Sequence, residues 1–361
     1  MSNFGVLAGT TAAMTCAALV AAPSPAQAQE FVPCNATALR NAITRANTTP
    51  GPAVLYLSPR CAYTLTTPDA GDPDNGLPVV TSEINVRGSG STIRRVSSVD
   101  FRILKVEGPG GRLTLNNLTI RDGRDASGGE GGGGIANFGQ LTLNDVQVTR
   151  NSTTQSGAGG GIVSAGTLTI RNSTLSFNVS TANNGGGLYS SGSATLSDTT
   201  VNGNTARDSG GGIDGRGTLA ITSSAVTDNA AGDVGGLHLF GATTTIADTR
   251  IQGNTSARAN SRGAGIQNVD GTLTMNRVTV FANRNLGSGS QGGGIANISI
   301  GGVVPTTATI RNSSVTHNYA RSAPGGILNE AGTVTLVATP VENNIPTDCT
   351  PSVPSVPGCA S

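Results

Sequence analysis

Four polar residues recur at one position of a repeating pattern: Tyr189, Asp214, His238 and Gln267 each follow an isoleucine or leucine that closes a glycine run. An aspartate one repeat away from a histidine can orient an imidazole and raise its basicity. With a tyrosine across the site, such a pair could take or give a proton at a sugar carbon or a glycosidic oxygen. Two residues further along the same segments stand Arg216 and Phe240, which adds Arg216 to the candidate catalytic set. His317, the other of two histidines, precedes an asparagine at a corner position and reads as surface. Solubility alone also puts polar side chains on an outward-facing row, so the set is a candidate site and no more. No two nearby positions of the row are both acidic, as an inverting glycosidase pair would need; Asp208 and Asp233 lie in the loops before the glycine runs.

A second cluster is the loop DAGDPDNG, residues 69–76, which gathers Asp69, Asp72 and Asp74. Three carboxylates in eight residues make calcium the candidate metal, the only cofactor the chain suggests. The spacing departs from the EF-hand pattern, because Gly76 stands where the third oxygen ligand belongs, and an acidic surface turn is the competing reading. No phosphate-cradling loop, zinc spacing or nucleophile elbow occurs. The net charge is +1 without basic or acidic blocks, which excludes nucleic acid and anionic membrane as implied partners.

The elements that must position these residues are set by a repeat. The residue after each glycine run is Ile135, Ile162, Leu188, Ile213, Leu237, Ile266, Ile295 or Ile327, in steps of 27, 26, 25, 24, 29, 29 and 32. Each repeat then carries an alternating apolar pair such as Leu168 and Ile170, and a third apolar residue three before an asparagine. Alternation with β-branched side chains is a strand signature, and helical periodicity is missing from the repeats. Three short strands per repeat make one triangular coil that must stack on the next, about 4.8 Å away, to bury its inward side chains. The crossover rule for parallel strands makes the winding right-handed. The expected fold is therefore all-β, a single-stranded right-handed parallel β-helix of about eleven coils. The repeat-closing asparagines, Asn151 to Asn344, read as a corner ladder, tolerating left-handed backbone and bonding from coil to coil. In such a coil the isoleucine points inward and the residue after it outward, so Tyr189, Asp214, His238 and Gln267 are expected to project from a shallow groove floored by glycine.

The ends complete the expected layout. Residues 1–28 read as a secretory signal peptide ending at Ala26-Gln27-Ala28, and residues 29–361 as one β-helix domain. Within it, residues 29–61 form an N-terminal cap and first strand, 62–344 the coils, and 345–361 a C-terminal cap. Leu39, Ala42, Ile43 and Ala46 share one face of a helix over Asn35–Asn47 that can cover the first coil. Four cysteines remain after cleavage, two at each end of a rod roughly fifty Å long, so proximity favours Cys34–Cys61 and Cys349–Cys359. Disulfides agree with an extracellular location. No later segment is long and apolar enough to cross a bilayer as a helix.

The repeats of the form GGGIxNxGTLTLxxSTVSxN, the cysteine-flanked lid helix, the VVTSEINVRGSGSTIRR segment and the closing NNIPTDC…VPGC resemble the secreted right-handed β-helix repeat proteins of actinobacteria, of the pectin-lyase-like fold. The glycine repeats also resemble those of polymorphic outer-membrane proteins, which act as adhesins; the membrane barrel of that family has no counterpart here. The aspartate calcium cluster of pectate lyases and the motifs of polygalacturonases are not matched, so no catalytic residue is carried over. The resemblance implies a secreted, monomeric, adhesin-like or wall-associated rod that contacts extracellular polysaccharide or a cell-surface component without catalysis. A polysaccharide lyase or glycoside hydrolase using the Tyr189–Asp214–His238–Gln267 row is the alternative.

Overall fold

A computed structural model describes residues 1–2, 5, 28–301 and 305–359. The expected signal peptide therefore lies almost wholly outside the described residues. The described chain is a right-handed parallel β-solenoid of about twelve turns with one helix. One turn illustrates the middle of the rod: Ile162–Ser164, Thr167–Arg171, Thr174–Ser176 and Val179–Ser180. Each segment pairs in parallel with its equivalent one turn on, as Ile162 with Leu188 and Leu168 with Ala194. The first segments form a nine-stranded sheet, the fourth an eight-stranded one, and the second and third together a sheet of twenty strands.

Two expectations change here. The six turns from Ile162–Ser164 to Tyr319–Ala320 hold four strand segments, not three, because two residues after the corner asparagine form a short strand of their own; in the turns beginning at Leu104 and Ile135 the second and third segments run on as one strand. The count of turns also rises from eleven to about twelve, since Ala28–Val32 precedes the helix and pairs with Ala53–Leu57 as an additional rung. The helix runs Ala36–Thr48, with Asn35 as N-cap accepting from the Ala38 N–H at 2.7 Å. It buries Leu39, Ala42, Ile43 and Ala46 against the open end of the core, the face expected of it. Arg40 Nε donates to the Gly76 carbonyl at 2.9 Å and Asn47 Nδ2 to that of Val79 at 2.7 Å, fastening the lid. Cys34–Cys61 and Cys349–Cys359 are both within bonding geometry, with Cα separations of 5.7 and 6.1 Å. At the far end Val353 and Asp348 extend the ladder onto the tail, where Cys349 and Val356 are buried.

The repeat couples its glycines to its asparagines. Asn229 Nδ2 donates to Val201 O and to Asn254 Oδ1, both at 3.0 Å, and its own Oδ1 accepts from Asn204 N and Nδ2 at 3.0 Å each. The ladder ends on Asp348, whose Oδ1 accepts from Asn344 Nδ2 at 2.8 Å and which, having no side-chain amide N–H, needs no further acceptor. A Cβ on the last glycine of the run, Gly212, would stand 3.1 Å from Asn229 Nδ2 and 3.0 Å from the Gly236 carbonyl. Glycine is thus what lets the asparagine column sit inside the coil. The left-handed corner residue is the one before each asparagine, such as Phe177 and His317, and the asparagines themselves are buried, which corrects the expected backbone role.

Polar groups also enter the rod elsewhere. Thr244 is buried at an inward position that is Leu219 and Leu273 in the adjoining turns, and its Oγ1 has no partner. Replacing an unpaired buried hydroxyl by a methyl removes a desolvation penalty. Thr244→Val is therefore expected to stabilise its turn by about 1 kcal/mol, read as slower amide exchange across Thr243–Ala247. Faster exchange there would contradict the assignment.

Candidate functional site

Tyr189, Asp214, His238 and Gln267 stand in one column of the nine-stranded sheet, paired rung to rung in that order. They do not project from an open face. Asp214 is 0 % exposed and His238 8 %, with only Tyr189 and Gln267 partly exposed. Apart from Lys105 at the front rung, the rest of the column is closed: Ala136, Val163, Ala296 and Leu328 are buried, the last two packed with Ile298. The cause is the glycine run, expected as a floor and found as a wall. Gly185, at φ +68°, passes so close that a Cβ there would meet the Tyr189 Cβ at 2.9 Å.

Within this cover Asp214 binds both neighbours. Its Oδ2 lies 2.7 Å from His238 Nδ1, and its Oδ1 accepts from Arg216 Nε at 2.9 Å. A carboxylate oxygen can only accept, so Nδ1 is the nitrogen that donates, and in the neutral imidazole Nε2 has the free lone pair. No protein group among the described residues bonds Nε2. The Arg216 guanidinium lies between two rings, 5.4 Å from the Tyr189 centroid and 5.5 Å from that of Phe240. Burial lowers the Arg216 pKa, but Asp214 more than offsets this, so the group stays above its ordinary value. Burial raises the Tyr189 hydroxyl above its usual range, with Arg216 opposing and Asp214 adding.

His238 and Gln267 line a half-open groove of about 270 Å³ together with Ser209, Asp233, Arg262 and Ile300. Asp233 is held by Arg258 at 2.6 Å, and Arg258 reaches Asp208 at 2.7 Å, so the two loop aspartates pair with an arginine and not with Asp214. Arg258 and Arg262 went unforeseen because they belong to the connection of 257–263, whose path no periodicity encodes. The row thus divides into the linked set Tyr189–Arg216–Asp214–His238 and the groove shared by His238 and Gln267.

Asp69, Asp72 and Asp74 are not gathered. Asp69 Oδ2 accepts from Gly71 N at 3.0 Å and Asp72 Oδ1 from Asp74 N at 3.1 Å, which are turn bonds. Among the described residues no three His, Cys, Asp or Glu side chains form a group that could hold a metal ion.

Solved structures share the architecture at low sequence identity. The A-module of mannuronan C-5 epimerase AlgE4 from Azotobacter vinelandii aligns with a TM-score of 0.50 at 13% identity, over 87% of this chain and 95% of that one. Pectate lyase Pel9A aligns with a TM-score of 0.46 at 14% identity, over 88% of this chain and 75% of that one. The Dettilon tailspike protein gp208 aligns with a TM-score of 0.37 at 12% identity, over 86% and 66%. What is shared at these identities is the parallel β-helix of pectin-lyase-like form. No protein-family model matches the sequence, and no curated protein matches it.

Proposed function

We propose that the protein is an extracellular β-helix that contacts polysaccharide, and that the groove beside His238 is a lyase-type catalytic site. The carrying observation is the buried 2.7 Å bond between Asp214 Oδ2 and His238 Nδ1. A flat binding face has no use for an oriented imidazole, whereas proton abstraction does. On a uronate-containing chain, His238 Nε2 would take the C5 proton and the freed pair would form the C4–C5 double bond. The glycosidic oxygen would leave C4 with the bonding electrons and take a proton from water. The Arg216 charge beside the pair favours an acidic substrate. Secretion is supported by the two disulfides and by the expected leader. The substrate named for the epimerase module, mannuronan, belongs to the same chemical class.

The sequence alone favoured a non-catalytic rod, and one observation still speaks for it. The column beyond Gln267 is closed and apolar, which shortens the path a polymer could take along the rod. The test incubates the secreted, oxidised protein with neutral and uronic-acid polysaccharides, with and without calcium, following reducing ends and the ultraviolet absorbance of unsaturated sugars. Product that disappears in His238→Ala is expected. Absence of product across the panel, with sedimentation onto one polymer, would leave the binding rod in place of the lyase.

A further inference from the structure

The face formed by the second strand of each turn has a use that the His238 groove does not explain. From Thr167–Arg171 to Thr333–Val337 these strands pair residue for residue, without a register shift, over seven rungs (the equivalents of residues 167, 193, 218, 243, 272, 307 and 333). Their first and third residues point outward on every rung, flanking a second residue that is buried. Those fourteen outward positions hold threonine except at Ser193 and Ala220, and none is charged. Among the described residues none of the threonine hydroxyls has a hydrogen-bond partner within the protein. Ion pairs begin only past the corner, as between Arg277 and Asp248 at 2.6 Å.

The result is a two-dimensional lattice. Equivalent threonines recur about 4.8 Å apart along the rod and, two residues on, about 6.6 Å apart across it. Each presents a hydroxyl that both donates and accepts, next to a methyl group. Neither solubility nor a single flexible polymer requires threonine at twelve of fourteen positions in two columns over seven rungs. A rigid, uncharged partner that repeats in two directions does. Crystalline water fits: its faces are neutral, every site offers a donor or an acceptor, and it repeats in two directions. We propose that this threonine face binds ice, with the methyl groups ordering water between the hydroxyls and the lattice.

The test grows an ice hemisphere slowly from a dilute solution of the full oxidised protein, with albumin as the excluded standard, and examines single crystals for faceting. Wild type is expected in the ice fraction, with faceted growth and a gap between melting and freezing points. Thr245→Arg, which sets a long cation in the middle of the lattice, is expected to fall to the albumin level. Thr227→Arg, outward on the neighbouring third strand, is expected to keep the wild-type value, and so is His238→Ala, which separates this surface from the proposed catalytic groove. Circular dichroism confirms folding, and Thr245→Val, which keeps the shape and removes one hydroxyl, is expected to give a partial loss. Exclusion of wild type from ice overturns the proposal, as does an equal loss in Thr245→Arg and Thr227→Arg. Binding to crystalline cellulose or chitin that Thr245→Arg abolishes, with no ice uptake, would assign the face to a polymer and overturn it as well.

Discussion

Arg102→Leu is expected to loosen the front of the rod by about 3–5 kcal/mol, while the far turns stay protected. Arg102 and Asp125 are each 1 % exposed, and Nη2 meets Asp125 Oδ1 at 2.8 Å. Nη1 meets Glu130 Oε2 at 2.5 Å, and Lys105 Nζ reaches Glu130 Oε1 at 2.7 Å. Burial lowers the Arg102 pKa, but the two carboxylates more than reverse that, so the cation is kept. Removing it leaves Asp125 inside the rod, where Ser127 Oγ at 2.9 Å is the remaining donor to Oδ1 and Oδ2 has none. An uncompensated buried charge is the costly outcome; replacing both partners by apolar groups is far milder. A solenoid spends such a loss locally, because each turn contacts only its neighbours. Amide exchange should therefore accelerate by about two to three and a half powers of ten in the turns around Leu104–Val106 and Arg112–Arg121, and little beyond Leu237. The double variant Arg102→Leu/Asp125→Leu should recover part of the protection. Uniform acceleration along the rod, or no recovery in the double variant, would contradict this account.

What could be read without coordinates follows the same locality. The inward ladder from Ile135 to Ile327, the lid face of Leu39, Ala42, Ile43 and Ala46, and both cysteine pairs are dictated by period and proximity, and all are found. The two-residue fourth strand was missed because a segment such as Val179–Ser180 is too short to show alternation. The strand Ala28–Val32 was missed because it abuts the expected leader and its pairing partner lies beyond the helix. At the site, neighbours on consecutive rungs were legible, since pairing of Asp214 with His238 follows from the repeat alone. Burial was not: it depends on how Gly185 and its equivalents fold back over the strand, and a left-handed glycine leaves no trace in an apolar pattern. The Arg102–Asp125 pair escaped notice for a related reason, as charged residues near a corner read as surface until the turn is closed.

Asp214→Asn is the second substitution with a large expected effect, and it separates catalysis from binding. The amide matches the carboxylate in size, so the fully buried position is filled without a cavity. It can donate as well as accept, so the imidazole is free to take the other tautomer and loses the negative partner that would stabilise its protonated form. By analogy with buried carboxylate–imidazole pairs in general, product formation should fall about 10³–10⁴-fold. Arg216 loses the negative charge opposite it but can still donate to the amide oxygen, and its side chain is 36% exposed and stacked between Tyr189 and Phe240, so it does not become a buried orphan. Retention of the same polymer in sedimentation is therefore expected alongside the lost turnover. Joint loss of binding and turnover, with unchanged circular dichroism, would make Asp214 a support for the binding surface and remove the reason to call His238 a base. Unchanged turnover would place the chemistry away from this pair altogether.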